Sequence, residues 1–575
     1  MSKAQGSRST APSALIAAGL VMLGACALIP LQVDRQARAP SLPGFGDSGM
    51  AITTASADAR RLFAQGMAQA YAFNEVEAVR AFKAALAQDP SCAMCAWGVA
   101  YQLGPNINDT DRGDLTQAVR YVDYAMRRSE NAPPRDRGLI EALALRYGRA
   151  SEAREARDAA VLTAPVCGAG AGEDQADPLD IAYAERMRRL ADRFPDDPDV
   201  VSIYAEAEMI ATRDDYWWDP KTGKPSGRIG EVARRLEDAL KPHAEHIGLN
   251  HYLIHAVDAP AVAVQAETAA DRLGRLAPNS PHLLHMPSHT YIHLGRYADA
   301  SRVNQQALAA DDVLAGNLGQ QGFSVSKDWR GHDGHFLWYV ALMEGRGDLA
   351  LATARASATR AAKADSEFGE YARSRPLLTL LRLERWNEVL AEPAPGGDKG
   401  IAAVLGHYAQ GVALARTGQS VRAAEALGKL EPAAAKVVGA HASKGYVDKM
   451  MRGMALVAQE RLRAEVALNQ GRGDDALANQ TKAVELGKDI DETEPPMMAA
   501  GTRLALGDMQ LKTSHPTDAE RTFRTDLADH PKSGWALRGL AQSLRAQGRN
   551  SEADALRAEL RRDWSAADAR LLAVN

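Results

Sequence analysis

The chain has 575 residues, a formal net charge of −5 and charges of both signs interspersed along its length. It is too long for one ordinary hydrophobic core, so it is either several domains or a repeat array, which grows without that limit. The charge balance gives no electrostatic case for nucleic acid, which needs a basic stripe, and abundant alanine with few aromatics points to an all-α fold.

At the N-terminus Lys3 and Arg8 precede an apolar run from Ala11 to Leu31, the layout of an export signal. Within it, Leu23-Gly-Ala-Cys26 resembles a bacterial lipoprotein cleavage box in which Cys26 is lipidated. Ala37-Arg-Ala39 is a weaker soluble-export site, because Pro40 would follow the cut. The run also approaches the roughly 20 residues of a membrane span. Residues 1–39 therefore read as a signal peptide, a lipoprotein signal or an uncleaved anchor. All three place the body at the periplasmic or extracellular face, and two of them tether it to the membrane. Residues 40–57, rich in Pro, Gly and Ser, read as a linker.

From Ala59 a pattern of about 34 residues begins. With Ala59 as position 1, Leu62 falls at 4, Gly66 at 8, Ala78 at 20, Phe82 at 24 and Pro90 at 32. Small residues at 8 and 20 let two helices cross closely, and Phe82 fills the gap to the next pair. The frame returns at Gly411 and Gly418, at Ala464 and Gly471, and at Gly507, Ala519 and Phe523. This is the pattern of tetratricopeptide repeats, and the resemblance implies an α-solenoid of stacked helical hairpins. Its blocks are N-terminal repeats at 58–162, central repeats at 179–365 and C-terminal repeats at 366–567. Three stretches interrupt them: Thr163 to Pro178 with Cys167, Asp214 to Gly223 with Trp217 and Trp218 as a lid or a hairpin cap, and a Gly/Gln-rich connection from Ala315 to Arg330.

Cys92 and Cys95 follow Pro90 at the start of a helix. Three uses fit that spacing: a disulfide formed after export, two soft ligands for copper or zinc, or a redox couple whose thiol pKa the helix dipole lowers. Ala96 follows where a haem attachment site needs His.

Ten of the fourteen histidines lie between His243 and His335. His282, His285, His289 and His293 follow one another at helical spacing and share one side of a helix. With Pro281 as position 1 they occupy 2, 5, 9 and 13, positions that line the concave groove in tetratricopeptide proteins. Taking Ile247 as position 1 puts His251 at 5 and His255 at 9; taking Gly331 puts His332 at 2 and His335 at 5. Imidazole is a ligand for Zn²⁺ and Cu²⁺, and an i,i+4 pair on one helix with a third from its neighbour can hold one ion. The expected ligands are His251, His255, His285, His289, His332 and His335. Met286 is an added thioether, and Asp258 a carboxylate ligand or an acceptor for a ligand's N–H. The metal-free alternative is a groove in which His side chains beside Trp97, Tyr101 and Tyr291 grip an anionic or aromatic ligand. Pro287 inside the helix predicts a kink that re-aims His285, and His243 and His246 read as cap or loop residues.

Three passages extend the likeness. They are Cys92-Ala-Met-Cys-Ala-Trp-Gly-Val-Ala100, His251-Tyr-Leu-Ile-His-Ala-Val-Asp258, and His285-Met-Pro-Ser-His289 with His332-Asp-Gly-His-Phe336. They resemble an uncharacterised exported group of bacterial and fungal tetratricopeptide proteins, whose members often carry Glu where Asp258 stands. The resemblance implies a shared site and names no reaction. Three functions fit: a scaffold whose groove binds a ligand such as a copper or zinc ion, a metal-dependent oxidase or hydrolase, or a module for proteins, peptides or small molecules without metal.

Overall fold

The computed structural model describes residues 31–572, apart from 109, 111–112, 164–175, 213–216, 221, 397–398 and 500. Cys26, Cys167 and most of the export signal lie outside the described residues. Within them are 28 α-helices, two 3-10 turns and no strand, and no helix is long and apolar enough to cross a membrane. Successive helices pair antiparallel, Ala57–Tyr71 with Glu75–Gln88 at one end and Gly534–Ala546 with Asn550–Asp563 at the other. The protein is an all-α, tetratricopeptide-like solenoid.

The repeat chemistry is visible in the packing. The Phe82 ring lies between Gly66 and Gly98, where an added Cβ would stand 2.5 Å from it on either side. Phe523 is held the same way by Gly507 and Gly539, where the approaches are 2.5 and 2.2 Å. The two sandwiches have the same sequence spacing at opposite ends of the array. Gly148, Gly295, Gly345, Gly418, Gly471 and Gly548 turn one helix into the next with φ between 66° and 78°, a conformation that glycine adopts without a Cβ clash.

The array is drawn closed by contacts far apart in sequence. Trp535 and Trp564 donate their indole N–H groups to the carbonyls of Leu342 and Met343 at 2.8 and 2.7 Å, tying the last repeats to the central ones. At the other end, helix Ala57–Tyr71 packs against helix Ile247–Ala256. The stretch read as a linker is an extended strap. Leu42, Phe45, Met50 and Ile52 are buried, and Asn279 N–H donates to the Gly44 carbonyl at 2.9 Å. Four apolar side chains among the Pro and Gly explain why it adheres. The 315–330 connection also differs from expectation, because its first residues extend helix Tyr297–Gln320 and only the remainder is loop. The hairpin at Trp217 and Trp218 is a cap: Trp218 is buried, donates to the Ala256 carbonyl at 2.7 Å and bridges to Pro225.

One buried ion pair tests the packing of the N-terminal repeats. Arg146 Nε donates to Asp180 at 2.7 Å, with both side chains 1% exposed. Breaking such a pair strands a charge, whereas replacing both partners with apolar residues does not. Asp180→Leu alone is expected to destabilise the protein by about 3–5 kcal/mol, and Arg146→Met/Asp180→Leu to recover most of that loss. Urea unfolding followed by circular dichroism reads both.

Candidate metal centre

Three helices bring six imidazoles together. Helix Ile247–Ala256 carries His251 and His255 one turn apart, and helix Arg330–Met343 carries His332. Between them Pro281–His285 runs into Pro287–His293 through Met286, whose φ of −50° and ψ of −38° are helical. Pro287 therefore interrupts the hydrogen-bond ladder while Met286 keeps helical backbone angles. His282, His285 and His289 stay on one face.

The six rings form two triangles. In the first, the Nε2 of His251 lies 3.1 Å from that of His282 and 3.0 Å from that of His255. In the second, the Nε2 of His285 lies 3.1 Å from both His289 and His332. All three ligand atoms in each triangle fall within 4.8 Å of one another. Nitrogens bound to one ion at about 2.0 Å with near-tetrahedral angles are separated by about 3.2 Å, so two sides of each triangle have the spacing of a chelate. Neighbouring rings of the two triangles, His282 and His285, are 6.3 Å apart between centres.

The triangles are copies generated by the repeat. Each takes groove positions 5 and 9 of one repeat and position 2 of the next: His251, His255 and His282, then His285, His289 and His332. Each is also backed by one phenylalanine. Phe73 meets His251, His255 and His282 at ring-centre distances of 4.7, 5.6 and 4.9 Å. Phe336 meets His285, His289 and His332 at 4.5, 4.6 and 4.9 Å. Phe73 holds a φ of 50° while buried, a left-handed conformation unfavourable for a bulky residue. That turn aims the ring at the first triangle. Trp329 stacks on His282 at 4.3 Å.

The outer hydrogen bonds decide which nitrogens face inward. His251 Nδ1–H donates to the Tyr71 carbonyl at 2.7 Å, which leaves its Nε2 with a bare lone pair. His285 Nδ1–H donates to Asn304 Oδ1 at 2.7 Å, since the amide nitrogen of Asn304 is used on the Ala300 carbonyl. His289 Nδ1–H donates to Asp258 at 2.8 Å and Glu494 at 2.9 Å. The Nε2 atoms of His285 and His289 thus meet with both outward protons committed, and a cation belongs between them, either a proton or a metal ion.

The electrostatics follow. Burial, reinforced by neighbouring imidazoles, holds His251, His282 and His285 well below the usual histidine range. Burial with the nearby His289 lowers His255 and His332 to about 3. Those rings stay neutral, the form a metal needs. Burial opposes charge on His289 and His293 too, but Asp258 and Glu494 outweigh it and raise both to about 10.

The expected ligand set needs two changes. His335 leaves it: its ring turns to the Tyr371 hydroxyl at 3.3 Å and stacks on Trp338. Position 9 of that repeat is Tyr339, so no second imidazole stands one turn beyond His335, and buried Trp338 on the same helix donates to Thr379. His282 joins instead, at the position equivalent to His332. Asp258 lies outside both triangles: it accepts from His289 and, with His289 and Glu494, forms a third group of ligand atoms within 4.8 Å of one another, with His293 bridging it to Glu494 at 3.1 Å on each side. Met286 is buried in the apolar core. Cys92 and Cys95 are joined in a buried disulfide and offer no thiolate to an ion. Trp97 and Tyr101 stack on each other, with their polar atoms on the Leu139 carbonyl and Glu206, and Tyr291 donates to Asp271. His246 caps its helix, as expected. Repeating the 5, 9 and 2 positions would have found His282. Glu494, 205 residues from His289, had no local signal.

No family model matches the sequence, and no curated protein matches it. Among solved structures the chain is similar to a human IFIT1 dimer with m7Gppp-AAAA, at 11% identity over 90% of this chain and 96% of that one with a TM-score of 0.30. It is also similar to the APC/C hetero-tetramer Cut9-Hcn1, at 12% identity over 90% of each chain with a TM-score of 0.25. Yeast Tom70 is similar at 13% identity over 87% of this chain and 91% of that one, with a TM-score of 0.24. What those proteins bind has no bearing on the histidines described above.

Proposed function

We propose that this protein is an exported solenoid whose central repeats bind two transition-metal ions, one in each three-imidazole half-site. The observation that carries the reading is the duplicated triangle of ring nitrogens, two sides of each at 3.0–3.1 Å and all three atoms within 4.8 Å of one another. Three imidazoles suit copper and zinc, neutral already in the first half-site and, in the second, once the ion displaces the proton held on His289, and copper(II) binds such nitrogen donors more tightly than zinc does. Copper is the first assignment. The apolar run after Lys3 and the buried Cys92–Cys95 disulfide, a bond that persists in oxidising compartments, support an exported location for the body.

Three protein ligands leave a coordination position for a further molecule, which favours an enzyme as the second reading: an oxidase on copper or a hydrolase on zinc. Peptide binding in the open groove fits less well at this point, because Phe73, Trp329 and Glu494 of the chain itself cover the histidines. Protein purified without a histidine tag, stripped with chelator and dialysed against Cu²⁺ or Zn²⁺ is expected to hold two ions per chain by elemental analysis. A folded protein that retains neither metal overturns the assignment. Dioxygen uptake by the copper form, measured with candidate organic reductants, separates an oxidase from a carrier.

A further inference from the structure

Beside the second half-site lies a cavity of about 530 Å³, lined by His332, Arg360, Phe368, Tyr371, Arg375, Tyr446 and Glu494 among others. That volume is within the range of small-molecule sites. Its charges are unevenly paired. Asp328, on the same wall, is bound by Arg330 at 2.8 Å, and Glu494 by His289 and His293. Among the described residues neither Arg360 nor Arg375 forms an ion pair. Arg375 is 6% exposed, and its Nε has no hydrogen-bond partner among them. Its guanidinium faces the rings of Tyr371 at 5.0 Å and Trp338 at 5.7 Å. Buried charges are ordinarily paired; this one has the Tyr371 hydroxyl beside it and no carboxylate partner among the described residues. The mouth is aromatic: Tyr446 is 59% and Phe368 36% exposed, and their rings stack 6.3 Å apart.

We propose that this cavity binds a planar organic carboxylate, with the carboxylate on Arg375 and Arg360, the flat body against Tyr371, Phe368 and Tyr446, and the far end directed at His332. The anion completes the guanidinium, and the rings supply the area that a small inorganic anion cannot use. The placement of the far end rests on the metal assignment above; the binding itself does not.

The two are separated by isothermal titration of the full chain with 4-hydroxybenzoate after chelator treatment. The neutral isostere 4-hydroxybenzamide is expected to bind about thirtyfold more weakly, because it leaves Arg375 unpaired. Acetate, which lacks the ring, is expected to bind about tenfold more weakly. Arg375→Met keeps the volume of a buried residue while removing its charge, so it should fold and lose the preference for carboxylate over amide; Arg360→Ala, on the surface, should weaken binding by a smaller factor. Absence of 4-hydroxybenzoate binding, equal binding of acid and amide, or an unchanged preference in Arg375→Met would each overturn the proposal. Binding that survives His285→Ala in metal-free protein sustains the cavity even where metal content fails, and normal metal content in Arg375→Met sustains the half-sites even where the cavity fails.

Discussion

His285→Ala is expected to lower bound metal from two ions to one per chain, and His251→Ala to do the same at the other triangle. Each is the apex of its triangle, the ring from which both 3.0–3.1 Å spacings are measured. Without it the remaining imidazoles form a two-ligand site. Structural zinc sites with four ligands are worth roughly 10–16 kcal/mol, or about 3 kcal/mol per ligand, so the affinity at the damaged half-site should fall about a hundredfold or more. Both rings are fully buried and their removal leaves a void, so His332→Ala, at the most exposed of the three ligands of its triangle, is the companion variant that tests the second half-site with a smaller loss of packing. The combined His251→Ala/His285→Ala protein should hold no tightly bound ion. Metal content of two in each single variant, with folding intact by circular dichroism, would remove the triangles from consideration.

The scaffold was legible because repeat chemistry is local. A glycine sixteen residues before Phe82 or Phe523 specifies a close helix crossing wherever it occurs, and the turn glycines need only their own backbone. His251, His255, His285 and His289 could be placed because helical spacing puts them on one face. His335 shows where that logic stops. Its helix position was inferred by analogy, but position 9 of that repeat is Tyr339, so no second imidazole stands one turn on, and the His335 ring turns to the Tyr371 hydroxyl. Phe73 and Glu494 were beyond sequence reasoning for a different reason. Both come from distant repeats, delivered by curvature, and curvature is the sum of many small crossing angles that no short motif encodes.

That curvature makes the two half-sites unequal. The first is supported by a neutral group, the Tyr71 carbonyl on His251. The second has Asp258 and Glu494 on His289, while buried Asp333, 3.5 Å from the Nδ1 of His285, is pushed by its burial towards the neutral acid. A carboxylate behind a ligating imidazole raises its basicity and offsets the charge of the ion, and losing one such partner typically costs 10–100-fold in metal affinity. Once the ion has displaced the proton that His289 holds below about pH 10, the second half-site should therefore be the tighter for a divalent ion, and its advantage should grow as pH rises. Asp258→Ala/Glu494→Ala is expected to lower its affinity by about 10²–10⁴-fold while leaving the first half-site unchanged, reversing the order of filling. Competition titration against a chelator, in a His251→Ala background that isolates the second half-site, measures the loss. An affinity within about threefold of the parent's, close to the noise of a single-residue context effect, would mean that the carboxylates hold His293 and not the metal. Since Asp258 lies one turn beyond His255 on the neighbouring repeat and Glu494 arrives from the far end of the chain, the tighter site exists only in the closed solenoid.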